Sequence, residues 1–227
     1  ALWEAAQLDE RLGRPDQAAG LYQAILNLSP PHGRRAGALY NLAWVRREEG
    51  KSEEAAALFR RIVDECRDSP YRAHAILSVA QHDFDSGRRA EAAAVLDELL
   101  KDGDQASIRD RALYLAGQIA FADRQWQQAR QRFEQLVSQC PDSDLRSTAA
   151  IAECEAAFQA GDADVVPLFE RFVGETSDVP EPLRATARMR LAQLFAEAGR
   201  WEDAAAIAEP FAEQHPGFAQ QYELDYI

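Results

Sequence analysis

The chain has 227 residues, a formal net charge of −13 and an isoelectric point near 4.8. That balance lacks the basic stripe that replaces counterions on nucleic acid, and it disfavours an anionic membrane surface for the same reason. Apolar residues at 47% and charged residues at 28% suit a folded chain rather than a disordered one. No run approaches the roughly 20 apolar residues of a membrane span, so no membrane insertion is expected.

The first residues, Ala1-Leu2-Trp3-Glu4, carry neither a basic leader nor an initiator Met, which reads as an excised or processed piece whose export signal, if any, lies outside it. Lys51 and Lys101 are the only lysines among the 25 Lys and Arg residues. The cysteines, Cys66, Cys140 and Cys154, form no CxxC or zinc spacing and are expected to be free thiols.

In chain order, a small residue recurs at Ala18, Ala55, Ala92 and Ala129, each 37 residues after the last. Four residues further on come Tyr22, Phe59, Leu96 and Phe133, and three later Ile25, Ile62, Leu99 and Leu136. Spacings of three and four are helical, and a fixed period of this length marks a solenoid. Five residues before each small residue stand Gly13, Gly50, Gly87 and Arg124, where a helix end is expected. Upstream of each turn a second small position, Ala6, Ala43, Ala80 and Gly117, follows Ala5, Leu42, Val79 and Ala116. Ala112 to Pro141 is the clearest unit: two amphipathic helices joined at Asp123-Arg124-Gln125. One such pair cannot bury its own apolar face and must stack on neighbours.

The order Gly117, Ala129, Phe133, Pro141 resembles the tetratricopeptide repeat (TPR), a helix–turn–helix unit of about 34 residues. Trp126 and Trp201 match that family's turn aromatic and read as structural. Sel1-like repeats fit less well, since their Ala-Ala-x-x-Gly signature is missing. The extra residues fall between units, at Arg67-Asp68-Ser69-Pro70 and Pro141-Asp142-Ser143-Asp144, where Ser69 or Asp68 is expected to cap a helix opening at Pro70. Such junctions resemble those of bacterial cell-envelope TPR proteins, including the periplasmic partner of the Tol–Pal system and the lipoprotein of the outer-membrane β-barrel assembly machine. That likeness favours the periplasm or cell envelope over the cytoplasm.

From about residue 145 the pattern weakens. A helix is expected over 145–160, then a turn at Gly161-Asp162 and a helix carrying Val165, Val166, Leu168, Phe169, Phe172 and Val173, with Pro167 tolerated in its first turn. After the irregular junction at Asp178 to Pro182 a sixth copy carries Leu191, Ala192, Phe195, Gly199, Trp201, Ala204, Phe211 and Pro216. The whole chain reads as one array, with repeats at about 1–32, 33–69, 70–106, 107–143, 144–179 and 180–217, and a seventh first helix beginning at 218–227.

No catalytic constellation is present: no GxGxxG, Walker loop, GxSxG or HExxH. His74 and His82 are two turns apart, about 12 Å, too far to share an ion. Asp83 and Asp85 flank Phe84 and read as a solvated helix face. No cofactor or metal is expected.

The residues left over on the first helices fall into three rows. They are Trp3, Tyr40, Leu77, Tyr114, Ile151; Gln7, Trp44, Gln81, Gln118, Glu155; and Glu10, Arg47, Phe84, Phe121, Phe158. These resemble the ligand-facing positions of the family, whose inner surface is lined by first helices. The candidate partner-binding residues are therefore Tyr40, Trp44, Arg47, Leu77, Gln81, Phe84, Tyr114, Gln118 and Phe121. The aromatics also suit packing between adjacent first helices. Trp44 stands apart, because the other copies carry Gln or Glu at its position.

The resemblance implies an all-α, right-handed TPR superhelix of about six helix pairs. It further implies a non-enzymatic scaffold that holds a peptide or helix of another protein on its concave face. The alternative is an assembly, oligomerisation or spacer module of a larger envelope, secretion or polysaccharide-export protein, acting through self-association. An enzyme would need catalytic residues outside this chain.

Overall fold

The computed structural model describes residues 1–28, 33–101, 107–174 and 179–214. Among them are twelve helices and no strand. First and second helices alternate: α1 (Leu2–Arg11), α2 (Pro15–Leu26), α3 (Arg35–Glu48), α4 (Ser52–Glu65), α5 (Arg72–Asp85), α6 (Arg89–Lys101), α7 (Arg109–Ala122), α8 (Trp126–Gln139), α9 (Arg146–Ala160), α10 (Val165–Gly174), α11 (Glu181–Glu197) and α12 (Trp201–Gln214). Pro216 and the seventh helix expected at 218–227 lie outside the described residues, as does the side chain of Phe211.

Each pair is joined by the same turn. Gly13, Gly50, Gly87, Arg124, Gly161 and Gly199 all have positive φ, from 59° at Arg124 to 79° at Gly87. The amide of each donates to the carbonyl three residues back, and the next amide donates five back, as in Gly50 N to Arg47 O at 3.0 Å and Lys51 N to Arg46 O at 2.8 Å. This is the Schellman closure, which satisfies the last carbonyls of the first helix. A Cβ built on Gly13, Gly50, Gly87, Gly161 or Gly199 would meet nothing within 4 Å, so the backbone angle and not lack of room selects glycine there. Arg124 adopts the same angle with a side chain. Gly37 is glycine for the opposite reason: a Cβ would lie 2.7 Å from the Trp3 ring.

The backbone contacts group into two compact units, 1–119 and 120–227. In the first, the repeated positions supply the core: Ala18, Tyr22 and Ile25 of α2 and Ala55, Phe59 and Ile62 of α4 are buried with Leu39, Leu42 and Ala43 of α3. Ala92, Leu96 and Leu99 of α6 continue it against Ile108, Ala112, Leu115 and Ile119. Tyr22 stands where phenylalanine stands in α4 and α8. Its hydroxyl donates to Glu10 (2.8 Å) and accepts from Asn41 (2.8 Å), and burial pushes its pKa up.

In the second unit Ala129, Phe133 and Leu136 of α8 are buried, and so are Phe169 and Phe172 of α10 with Ile151, Cys154, Leu191 and Phe195. The fifth copy keeps its turn glycine in register, 37 residues after Arg124, but α10 starts later after that turn and its buried phenylalanines come one residue early. Arg130 of α8 holds the altered turn, donating to Asp162 and Asp164, and Gln127 also donates to Asp162 (2.6 Å). The guanidinium holds the Asp164 carboxyl below its usual range.

Two junction expectations change. α5 begins at Arg72, beyond Pro70, with no side-chain cap. Ser69 instead closes a turn ahead of the helix, its Oγ accepting from Tyr71 N at 3.2 Å, and Ser143 does the same for Leu145 N at 3.1 Å. Cys66 and Cys154 are free thiols. Trp126 packs edge-on against Phe121, centroids 4.9 Å apart, but Trp201 is 69% exposed because Ala196 stands where Phe121 would cover it.

Two stability outcomes follow from this register. Arg124→Gly relieves a left-handed side-chain residue and raises unfolding stability by about 1 kcal/mol, read as a higher denaturant midpoint at unchanged slope. Phe133→Ala empties a buried site and costs about 3–5 kcal/mol in the same measurement; an unchanged melting curve would contradict the register.

Candidate functional site

Helical register brings Tyr40, Trp44 and Arg47 onto one side of α3, one turn apart. Tyr40 is the centre of an aromatic cluster. Its ring lies 6.1 Å from Trp44, 5.8 Å from Phe59 of α4, 4.9 Å from Tyr71 and 6.4 Å from His74 of α5. Trp44 also meets Phe59 edge-on at 6.0 Å, and the Arg47 guanidinium sits over the Trp44 ring at 5.0 Å. Phe59 is buried, Tyr40 half-buried, and Trp44 remains 38% exposed. Trp44 is thus braced on its inner side and open on its outer side.

Next to this cluster is a cavity of about 100 Å³ between α3 and α5, with α4 as its floor. Ala55, Ala56 and Phe59 supply the apolar floor, and Arg47, Gln81, His82 and Asp85 line it with polar groups. Gln81 Nε2 donates to Asp85 Oδ1 at 2.8 Å, and His82 Nε2 is 2.9 Å from Glu53 of α4. Arg47 and Gln81, predicted as partner-facing, therefore line one opening, while Trp44 touches its floor through Phe59.

The other candidates are distributed differently. Leu77 and Phe84 of α5 are half-buried and pack on the core shared by α5, α6 and α7. Tyr114 and Gln118 of α7 are half-buried, and burial raises the Tyr114 pKa. Phe121 belongs to the second unit and packs on Trp126. Further along the same rows Trp3 and Ile151 are buried. Glu155 is bonded by Arg190 of α11 (3.2 and 3.4 Å), whose guanidinium also lies 4.6 Å over Phe158. In α9 the chain covers these row positions with its own arginine.

Asp83 corrects the expectation of a solvated acidic face. Only 4% exposed, it accepts hydrogen bonds from Arg60 of α4 and from Arg88 just past the turn (3.0 and 2.8 Å), while Arg88 N closes the helix on the Asp83 carbonyl at 2.7 Å. The carboxylate ties α4, α5 and the turn together beside the cavity. Asp9 and Arg14 repeat the pair two repeats earlier, at 3.8 Å. Among the described residues no group of three His, Cys, Asp or Glu is placed to hold a metal, and no helix is long and apolar enough to cross a membrane. Asp83→Ala removes the buried carboxylate shared by Arg60 and Arg88 and costs about 1–3 kcal/mol of unfolding free energy; Asp85→Ala, on the exposed side of Phe84, changes it by less than about 0.5 kcal/mol in the same assay.

Comparison with known proteins agrees with this architecture. A tetratricopeptide repeat family model matches residues 4–70 and 155–217, and a second tetratricopeptide repeat model matches residues 111–143. No curated protein matches the chain in sequence. Among solved structures it is similar to pilF of Pseudomonas aeruginosa, with TM-score 0.65, 17% identity, and coverage of 99% of this chain and 95% of that one. A tetratricopeptide repeat protein of Parabacteroides merdae gives TM-score 0.65, 18% identity and coverage of 92% and 77%. MamA of Desulfovibrio magneticus gives TM-score 0.63, 16% identity and coverage of 80% and 95%. At those identities the likeness is one of fold. With the family matched over more than half its length, and the same left-handed turn closing every helix pair, the chain belongs to the tetratricopeptide repeat family.

Proposed function

We propose that this protein is a non-enzymatic scaffold that holds an extended peptide or a helix of another protein across α3 and α5, the first-helix side that is concave in the family. The observation that carries the reading is Trp44, open to solvent on one side, braced on Tyr40 and Phe59, and adjacent to a cavity floored by Phe59. Exposed aromatics already held in one rotamer lose little entropy on contact and act as binding anchors. The cavity suits one aliphatic side chain of the partner, with Arg47 and Gln81 supplying hydrogen bonds at its edge. Leu77, Phe84, Tyr114 and Gln118 then extend or support the surface on their own helices. The tetratricopeptide fold is a protein-interaction scaffold in general, and the groove between α3 and α5 offers apolar surface and hydrogen-bonding groups together.

A displayed random-peptide selection on the chain tests this. Selected peptides are expected to share an apolar anchor and to bind Trp44→Ala and Gln81→Ala at least about tenfold more weakly. Because Trp44 packs on two rings, its removal also costs about 1 kcal/mol of stability while helix content stays the same. Peptides that bind Trp44→Ala as well as the parent chain would place the binding surface elsewhere.

A further inference from the structure

In the second unit, α8, α9 and α10 enclose a cavity of about 250 Å³. Glu153, one of its lining residues, is only 3% exposed. The repeat register makes that position anomalous. Counting by one repeat, it corresponds to Ala5, Leu42, Val79 and Ala116 before it and to Leu191 after it. Of these, Leu42, Val79, Ala116 and Leu191 are buried core residues. Packing alone asks for an apolar side chain here. Glu153 has Arg171 at 3.6 Å, an ion pair beyond hydrogen-bonding distance, and Arg130 is the other arginine near enough to act on its carboxylate. Arg171 is itself mostly exposed.

The remaining lining sorts by chemistry. Val137, Ala150, Leu168 and Phe172 make apolar walls, and Glu134 adds a second carboxylate. Apolar side chains and a buried carboxylate in one lining fit a ligand with a hydrocarbon stem and a cationic tip. The volume is below that of sites for drug-sized ligands and suits one long side chain. Arg146 and Arg171 also line the cavity, but of its four charged groups only Glu153 is buried. The chain's net charge of −13 attracts cations to it.

We propose that this cavity binds an alkylammonium or alkylguanidinium group, as carried by a lysine or arginine side chain of a partner, with Glu153 as the buried counter-charge and Arg171 as the resident competitor. The site is separate from the groove between α3 and α5 and stands or falls independently of it.

The test is amide-resolved NMR titration of the whole chain with n-butylammonium, with n-butanol and butyrate as controls. Saturable shifts confined to the cavity-lining residues of α8, α9 and α10 are expected for n-butylammonium alone. Glu153→Gln keeps the shape and weakens the interaction at least about tenfold, while Arg171→Met, at an exposed position, strengthens it several-fold. Nα-acetyl-lysine N-methylamide separates the sources: equal binding assigns a side chain on a polypeptide, and exclusion assigns a free amine. Shifts from butyrate instead, shifts unaffected by Glu153→Gln, or no saturable shift at all would overturn the proposal and leave Glu153 and Arg171 as an ion pair joining α9 to α10.

Discussion

The structure depends on one backbone constraint, the left-handed residue that ends each first helix. Its angle directs two amides back onto the last carbonyls of that helix and releases the chain into the second helix after one further residue in five of the six turns. Because the closure is made of backbone alone, it repeats without regard to the side chains around it. The period of 37 residues is the distance between successive left-handed residues as far as Gly161, including the copy where the helix after the turn has lost its register. The helix faces, and so the core and the leftover rows, are set by where the chain stands relative to this turn.

That dependence explains what could be read in advance. Small and bulky positions repeat because adjacent helices must approach closely, and Ala18, Phe59, Leu96 and Phe133 are buried as their spacing required. Arg124 was legible as the stand-in for glycine for the same reason. Asp83 was not, since single residues on a helix carry no record of a partner on another helix; its burial comes from Arg60 and Arg88 converging from two elements. The repeat does contain a usable signal of such sites. Glu153 breaks a column that is otherwise apolar, and comparing columns rather than neighbours would have singled it out. Trp201 shows the converse, a family position filled by the expected residue whose partner, Phe121 in the earlier copy, has become Ala196.

The candidate site illustrates how equivalent positions diverge in use. Residues one repeat apart start on the same face of their helices, yet Trp3 is sealed by Tyr22 and Gly37, Tyr40 becomes the hub of a ring cluster, and Glu155 and Phe158 are taken by Arg190. What distinguishes the α3 to α5 groove is the joint presence of an anchored, half-open indole, an apolar floor and polar groups with room around them. The buried carboxylate of α9 is a different kind of feature, a charge placed where packing would exclude it.

The space around the turn residues has a practical consequence. Nothing lies near the position a side chain would occupy at the glycine turns, and at residue 124 an arginine already occupies it while the helices on both sides remain in place. The hairpin tips are therefore attachment points insulated from the interior: a fluorophore or cross-linker carried at residue 124 projects into solvent and reports on its surroundings without entering the packing between helices. A repeat protein closed in this way separates what is written on its edge from what holds it together.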